Sequence, residues 1–180
     1  MASTNKIDIS IFKIFTKAIA ESGNLVIMAE NLSQLLVGVL EIKGCTIFVL
    51  NQELNELEIL ATFGLSTEYM SKGPVLSTSS IAENIQGTSI IIKDIDKTDK
   101  LQYPDNARTE GIGAIVSIPI VFAHKQLGVL RLYHHMPWDI SDDDLESLTI
   151  LAEMTGLAMT YTETRYVFDS LKEIVNSVKL

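Results

Sequence analysis

The stretch GAIVSIPIVFAHKQLGVLRLYHH, Gly113 to His135, decides how the rest of the chain is read. Two apolar runs flank a polar break at Ala123-His124-Lys125-Gln126, the pattern of a β-hairpin. A strand with one face in water alternates apolar and polar residues. The run from Ala114 to Phe122 scarcely alternates, so both of its faces are expected to be covered. Side chains two apart share a face. Val116, Ile118, Ile120 and Phe122 make one bulky side. Ile115, Ser117, Pro119 and Val121 make the other, which holds the run's one hydroxyl. In the returning run Leu130 and Leu132 face one way, and Val129, Arg131 and Tyr133 the other. One side of this hairpin reads as greasy and helix-facing. The other has room and polar atoms, the character of a ligand pocket.

The chain has 180 residues, enough for one domain with a full core. Apolar residues make up 47% and charged residues 21%, the balance of an ordinary globular domain. A net charge of −9 repels phosphate backbones and anionic lipid, so neither nucleic acid nor membrane is expected as a partner. Much of the acid falls between Asp139 and Glu146, where a solvated helix start explains it better than a metal site. The single cysteine, Cys45, rules out an internal disulfide and fits a reducing compartment. With no signal-like start and no uncharged run of ~18 apolar residues, a cytoplasmic protein is expected.

Outward from the hairpin, helical spacing marks residues 7–22 and a second helix carrying Ile27, Leu32, Leu35, Leu36 and Val39, separated by Ser22-Gly23-Asn24. Cys45 to Leu50 and Leu57 to Phe63 read as a first strand pair around the polar turn Asn51 to Glu56. Ser66 to Ser71 suits one helical turn carrying Tyr69 and Met70, and Gly73 to Leu76 is extended. Ser80 to Glu83 has the capping-box pattern of a short helix start. Ser89 to Lys93 is a strand, Asp94 to Asp105 a polar, mobile loop, and Pro104 to Glu110 a short helix. Ser141 caps the last helix, with Asp142, Asp143 and Asp144 in its first turn, where the helix dipole favours acid. Beyond Tyr161 its apolar positions tighten to Thr164, Phe168, Leu171, Val175 and Val178, alternating steps of four and three. A continuous helix from Ser141 to Val178 would be roughly 57 Å long. That exceeds what one small domain covers, and the simplest partner for the protruding seam is a second copy.

The order and spacing of several segments together resemble the GAF domain, a small-molecule sensor module of signalling proteins. They are Cys45 to Asn51, LEILATFGLSTEYMSKGPV, SIAENIQGTSIIIKDI, GIGAIVSIPIVFAHKQLGVLRLYHH and ISDDDLESLTILAEMTGLAM. The resemblance implies an α+β fold: a central antiparallel sheet with the first and last helices on one face. Short helices and loops, here Leu65 to Glu110, roof a pocket on the other. Residues 1–164 are expected to form the domain and 165–180 a helical extension that dimerises.

The resemblance also implies a ligand under the roof. The candidate contacts are Thr46, Phe63, Tyr69, Ile81, Ala82, Tyr103, Ile115, Ser117, Arg131 and Tyr133. Ser117 and Tyr133 match strand positions that touch pigment in phytochromes, and Ile81 and Ala82 match ligand contacts in cyclic-nucleotide-binding relatives. Each has a plainer reading beside it. Ser117 is equally a small core residue bonded to backbone, and Tyr69 and Tyr103 suit lid packing. A guanidinium buried in a strand needs a partner. For Arg131 that is an anionic ligand or a loop carboxylate such as Asp94 or Asp105, and the loop pairing is the expectation. His134 and His135, adjacent on a strand, should point to opposite faces and not share a metal. Cys45 reads as a small core hydrophobe rather than a reactive thiol.

Departures from the family's patterns narrow the ligand. Ala114 and His135 stand where the cyclic-nucleotide signature has Asn and Lys, and no Phe lies near Asp142, which argues against cyclic AMP or GMP. No cysteine is placed for a covalent bilin, and nothing marks a haem site, so the cofactor is left unknown. One cysteine cannot supply both attacking and resolving thiols, which argues against the family's methionine sulfoxide reductase chemistry. The expectation is a non-catalytic sensory domain, a homodimer through its terminal helices, serving a signalling effector protein. The alternative is a ligand-free dimerisation or docking module.

Overall fold

The computed structural model describes residues 7–76 and 88–177. Helix α1 (Ile9–Ser22) starts at Asp8, whose carboxylate accepts from the Ser10 amide at 2.8 Å. It ends at Gly23, with φ of 54°. The Asn24 side chain then accepts from the Val26 and Ile27 amides at 2.9 and 3.2 Å and starts α2 (Leu25–Leu40). The Ser22-Gly23-Asn24 stop is therefore also the cap of the next helix.

Strands β1 (Gly44–Asn51) and β2 (Glu56–Phe63) form the first hairpin, each slightly longer than its apolar run. The Asn51 side chain accepts from the Glu53 and Leu54 amides and closes the turn. Helix α3 (Thr67–Met70), strand β3 (Val75–Leu76), strand β4 (Ile90–Ile92) and helix α4 (Pro104–Glu110) follow. The long hairpin is β5 (Ala114–Phe122) and β6 (Lys125–His134). Its turn has only two residues, Ala123 and His124, with φ of 48° and 64°, a type I′ geometry normally given to Asn-Gly. Helix α5 (Asp142–Ser177) closes the chain.

Among the described residues six strands join in one sheet, ordered β3-β2-β1-β6-β5-β4, every pair antiparallel. One face carries the main core: Cys45, Ile47 and Ala61 from the first hairpin with Val116, Ile118, Ile120, Leu130 and Leu132 from the second. Helices α1, α2 and α5 cover it through Phe15, Leu32, Leu36, Leu148 and Leu151. Gly156 lets α5 lie close on β5, since a Cβ there would stand 3.1–3.2 Å from Phe122 and Ile120 side-chain carbons. The Ser141 hydroxyl accepts from the Asp144 amide at 3.1 Å and donates to its carboxylate at 2.8 Å, the expected cap. The same carboxylate accepts from the Ile7 amide at 3.1 Å, tying the start of α1 to the start of α5.

Two expectations change. The Asp94–Asp105 loop holds a 3-10 turn, Ile95–Lys97, started by the Asp94 side chain and anchored by buried Ile95. Polarity hid that anchor because one apolar residue in a polar run carries no periodicity. The His134 and His135 rings stack at 4.5 Å instead of pointing apart, because β6 ends at His134 and strand alternation ends with it. The short helix expected at Ser80 lies outside the described residues.

Candidate functional site

Strand alternation sends a second set of side chains to the face away from α1, α2 and α5. Three rows cross the strands there. Tyr133, Ile115 and Ile92 are register neighbours on β6, β5 and β4. With Tyr69 of α3, Ala107 of α4, Ile95 and Ile112 they form one apolar cluster. Phe48 and Val129 pair across β1 and β6 and pack with Leu57 and Val75 in another. Between the two clusters runs the register row Thr62–Thr46–Arg131–Ser117–Ile90. Four of its five members are polar.

The row is closely bonded along most of its length. The Thr46 and Thr62 hydroxyls hydrogen-bond at 3.0 Å. Arg131 Nε donates to Ser117 Oγ at 3.1 Å, and the guanidinium carbon lies 5.3 Å from the Phe48 ring centre, within cation–π range. Arg131 is 6% exposed, and its Nη2 has no hydrogen-bond partner among the described residues. The expected carboxylate partners are occupied elsewhere: Asp94 pairs with Lys97 at 2.9 Å and Asp105 with Arg108 at 3.0 Å. Both belong to exposed pairs that form within a few residues of sequence, which a strand arginine does not displace.

The roof is built around Tyr69, whose ring meets Tyr133 edge-on at 5.8 Å. The Ser66 hydroxyl caps α3 by accepting from the Tyr69 amide at 3.1 Å. Glu110, the last residue of α4, accepts from the Ser66 amide at 3.0 Å and from its hydroxyl, and pairs with Lys43 at 3.3 Å. Burial works to raise the Glu110 pKa, but the Ser66 hydrogen bonds and Lys43 together hold it below the usual value. Lys72 folds back over the roof, its Nζ 3.7 Å above the Tyr69 ring and donating to the Tyr69 carbonyl at 2.9 Å. Burial, and then the Arg131 charge, pull the Lys72 ammonium down to about 8. Burial pushes the Tyr69 and Tyr133 hydroxyls up, opposed by the same Arg131 charge.

Of the candidates read from the sequence, Thr46, Tyr69, Ile115, Ser117, Arg131 and Tyr133 gather on this face. Phe63 does not: it pairs with Cys45 and so shares the helix-side parity, at the margin and 42% exposed. Tyr103 sits at the roof's rim, donating from its hydroxyl to the Pro74 carbonyl at 2.9 Å. Ile81 and Ala82 lie outside the described residues. Thr62, Phe48, Lys72 and Glu110 went unread. The hairpin register alone reveals the first two, and only the folded roof brings in the others. Cys45 lies in the main core, where burial pushes its thiol up to about 12. Among the described residues no group of three or more His, Cys, Asp or Glu side chains is placed to hold a metal ion. No helix among them is long and apolar enough to cross a membrane.

A family model described as GAF domain matches residues 27–160, most of the chain. The chain belongs to the GAF family. GAF domains are typically sensory or regulatory modules of signalling proteins and are generally non-catalytic. The solved structures agree on the fold. The GAF domain of a phosphoenolpyruvate-protein phosphotransferase from Coxiella burnetii is similar with a TM-score of 0.79 at 16% identity, over 91% of this chain and 97% of that one. The phycocyanobilin-bound GAF domain of a cyanobacterial phytochrome is similar with a TM-score of 0.73 at 14% identity, over 91% and 98%. A free methionine-R-sulfoxide reductase from Neisseria meningitidis, solved with its substrate, is similar with a TM-score of 0.72 at 12% identity, over 92% and 96%. Among curated proteins no significant sequence match is found.

Proposed function

We propose that this GAF domain is a non-catalytic sensor that binds a small organic ligand on the roofed face of its sheet and acts as a homodimer through its terminal helices. The polar row Thr62–Thr46–Arg131–Ser117, lying between two apolar clusters with all but Thr62 buried, carries the reading. A face needed only for packing would be apolar throughout, whereas a few polar groups converging in an apolar surround are what a ligand site requires. Two neighbours of the same fold support it: one was solved with phycocyanobilin and one with its substrate. A thiol-based catalytic role lacks its nucleophile on this face, since the chain's one thiol lies buried on the other.

Ligand binding would favour one arrangement of the segments covering the sheet, by as much as its affinity differs between the two arrangements. The main core joins the sheet to α1 and α5, so the change would reach the terminal helices and an effector protein beyond them. The acidic surface argues against nucleic acid and anionic membrane as partners. Native mass spectrometry of the purified protein after incubation with a cell metabolite extract tests the ligand. A retained small-molecule adduct is expected, and its absence across extracts would remove the sensor reading.

One observation favours a second reading, a ligand-free dimerisation module. Leu157, Tyr161, Phe168, Leu171 and Val175 stand exposed on α5 in steps of four, seven, three and four, with Thr164 between, a heptad seam on a helix of 36 residues. The seam serves both readings, and the adduct separates them.

A further inference from the structure

Arg131 is a cation nine-tenths buried in a sheet, with one donor nitrogen unpartnered among the described residues. Leaving a buried guanidinium unmatched is costly, and proteins normally match it with a carboxylate. This chain has carboxylates to spare at a net charge of −9, yet four of the roof are engaged elsewhere: Asp94 with Lys97, Asp96 and Asp105 with Arg108, Glu110 with Ser66 and Lys43. A second cation, Lys72, lies over the Tyr69 ring and 5.8 Å from the Tyr103 ring centre, its ammonium donating to the Tyr69 carbonyl. The Arg131 and Lys72 charges act on each other, and the carboxylate that acts on Lys72, Glu110, is already held by Ser66 and Lys43.

Resting on the ligand-binding reading above, we infer that the ligand is an organic monocarboxylate, its head group taken by Arg131 Nη2 with Lys72 as the second cation and its body lying on the flanking apolar rows. Guanidinium N–H groups suit a carboxylate in geometry and charge. The Nε of Arg131 is already committed to Ser117, which leaves the terminal guanidinium nitrogens, of which Nη2 is buried and unpartnered among the described residues. The two oxygens of a carboxylate are served by the terminal guanidinium nitrogens and one ammonium, whereas a phosphate presents more oxygens than these donors reach. Phe48, Val129, Ile115 and Tyr133, buried on either side of the polar row, make surroundings that suit an apolar or aromatic body better than a bare inorganic anion.

The test is differential scanning fluorimetry and calorimetry on the full chain, using benzoate, phenylacetate and hexanoate, the primary amide of each, and inorganic phosphate at matched ionic strength. At ten times its Kd a carboxylate should raise the unfolding midpoint by ~3–6 °C, with its amide silent. Arg131→Met should abolish that shift while leaving the ligand-free midpoint at or above wild type, as removing an unmatched buried charge predicts. Lys72→Met, at a half-buried position, should fold normally and weaken binding by ~3–10-fold. An Arg131→Met protein that unfolds, or whose midpoint falls by several degrees, makes Arg131 a structural strut and overturns the inference. So does a phosphate shift equal to the carboxylates', or a panel in which no carboxylate moves the wild type. Equal shifts with acids and amides would overturn the anion assignment and leave the ligand-binding reading standing, and a metabolite adduct without carboxylate would do the same.

Discussion

Arg131 and Ser117 face each other across the β5–β6 ladder, and the arginine Nε donates to the serine hydroxyl at 3.1 Å inside the buried face of the sheet. Ser117→Ala removes the acceptor and leaves a second guanidinium nitrogen unmatched. The expected cost is about 1–3 kcal/mol of stability in urea denaturation. In an Arg131→Met background the same substitution should cost much less, giving a coupling energy of about 1 kcal/mol or more. Additive effects would mean that the hydroxyl does not serve the arginine.

Glu110 links the end of α4 to the start of α3 through Ser66, and so holds Tyr69 over the sheet. Glu110→Gln keeps the shape and removes the charge. A loss of about 1 kcal/mol at neutral pH is expected, after allowing for solvent screening of the Lys43 pair. The folded Glu110 pKa lies below its ordinary value, so the carboxylate's contribution is complete above the unfolded pKa of about 4.3 and is lost as the pH falls through the lower folded value. Wild type and variant should therefore converge in acid. Hydrogen exchange at the Tyr69 amide should quicken in the variant, and unchanged exchange would separate Glu110 from the roof.

The β5–β6 turn places Ala123 and His124 at positive φ, a region that costs the alanine more than the histidine and that glycine enters freely. Replacing the pair with Asn-Gly suits the type I′ turn that the hairpin already makes. A gain of about 1 kcal/mol is expected, read as a higher urea midpoint with an unchanged denaturant slope. A loss of stability would show that the two side chains make contacts outweighing their backbone strain.

The α5 seam predicts assembly. Phe168 and Leu171 are 56% and 54% exposed in the single chain, so Phe168→Asp with Leu171→Asp should change the domain's own stability by no more than about 0.5 kcal/mol per site. Light scattering behind size exclusion should report a dimer for wild type and a monomer for the double variant. A monomeric wild type at high micromolar concentration would remove the homodimer from the proposal.

The sequence alone determined the main helices and strands and the side the long hairpin shows to the helices. Hairpin β5–β6 announced itself because neither face of Ala114–Phe122 alternates, and the Ser141 cap and Asn24 stop were local hydrogen-bond chemistry. Parity along each strand already placed Ser117 with Ile115 and Arg131 with Tyr133. It could not say which residue of one strand stands beside which of another. That is register, set by turns and a bulge between Ile47 and Phe48. Only the tertiary structure aligned Thr62, Thr46, Arg131 and Ser117 into one row, put Phe63 on the opposite side through its pairing with Cys45, and folded Lys72 and Glu110 into the roof. Arg131 shows the physical reason most plainly. Its sequence context demanded a partner, but which charges reach it depends on contacts far apart in the chain, and the nearest-seeming acids, Asp94 and Asp105, had already closed short-range pairs with Lys97 and Arg108.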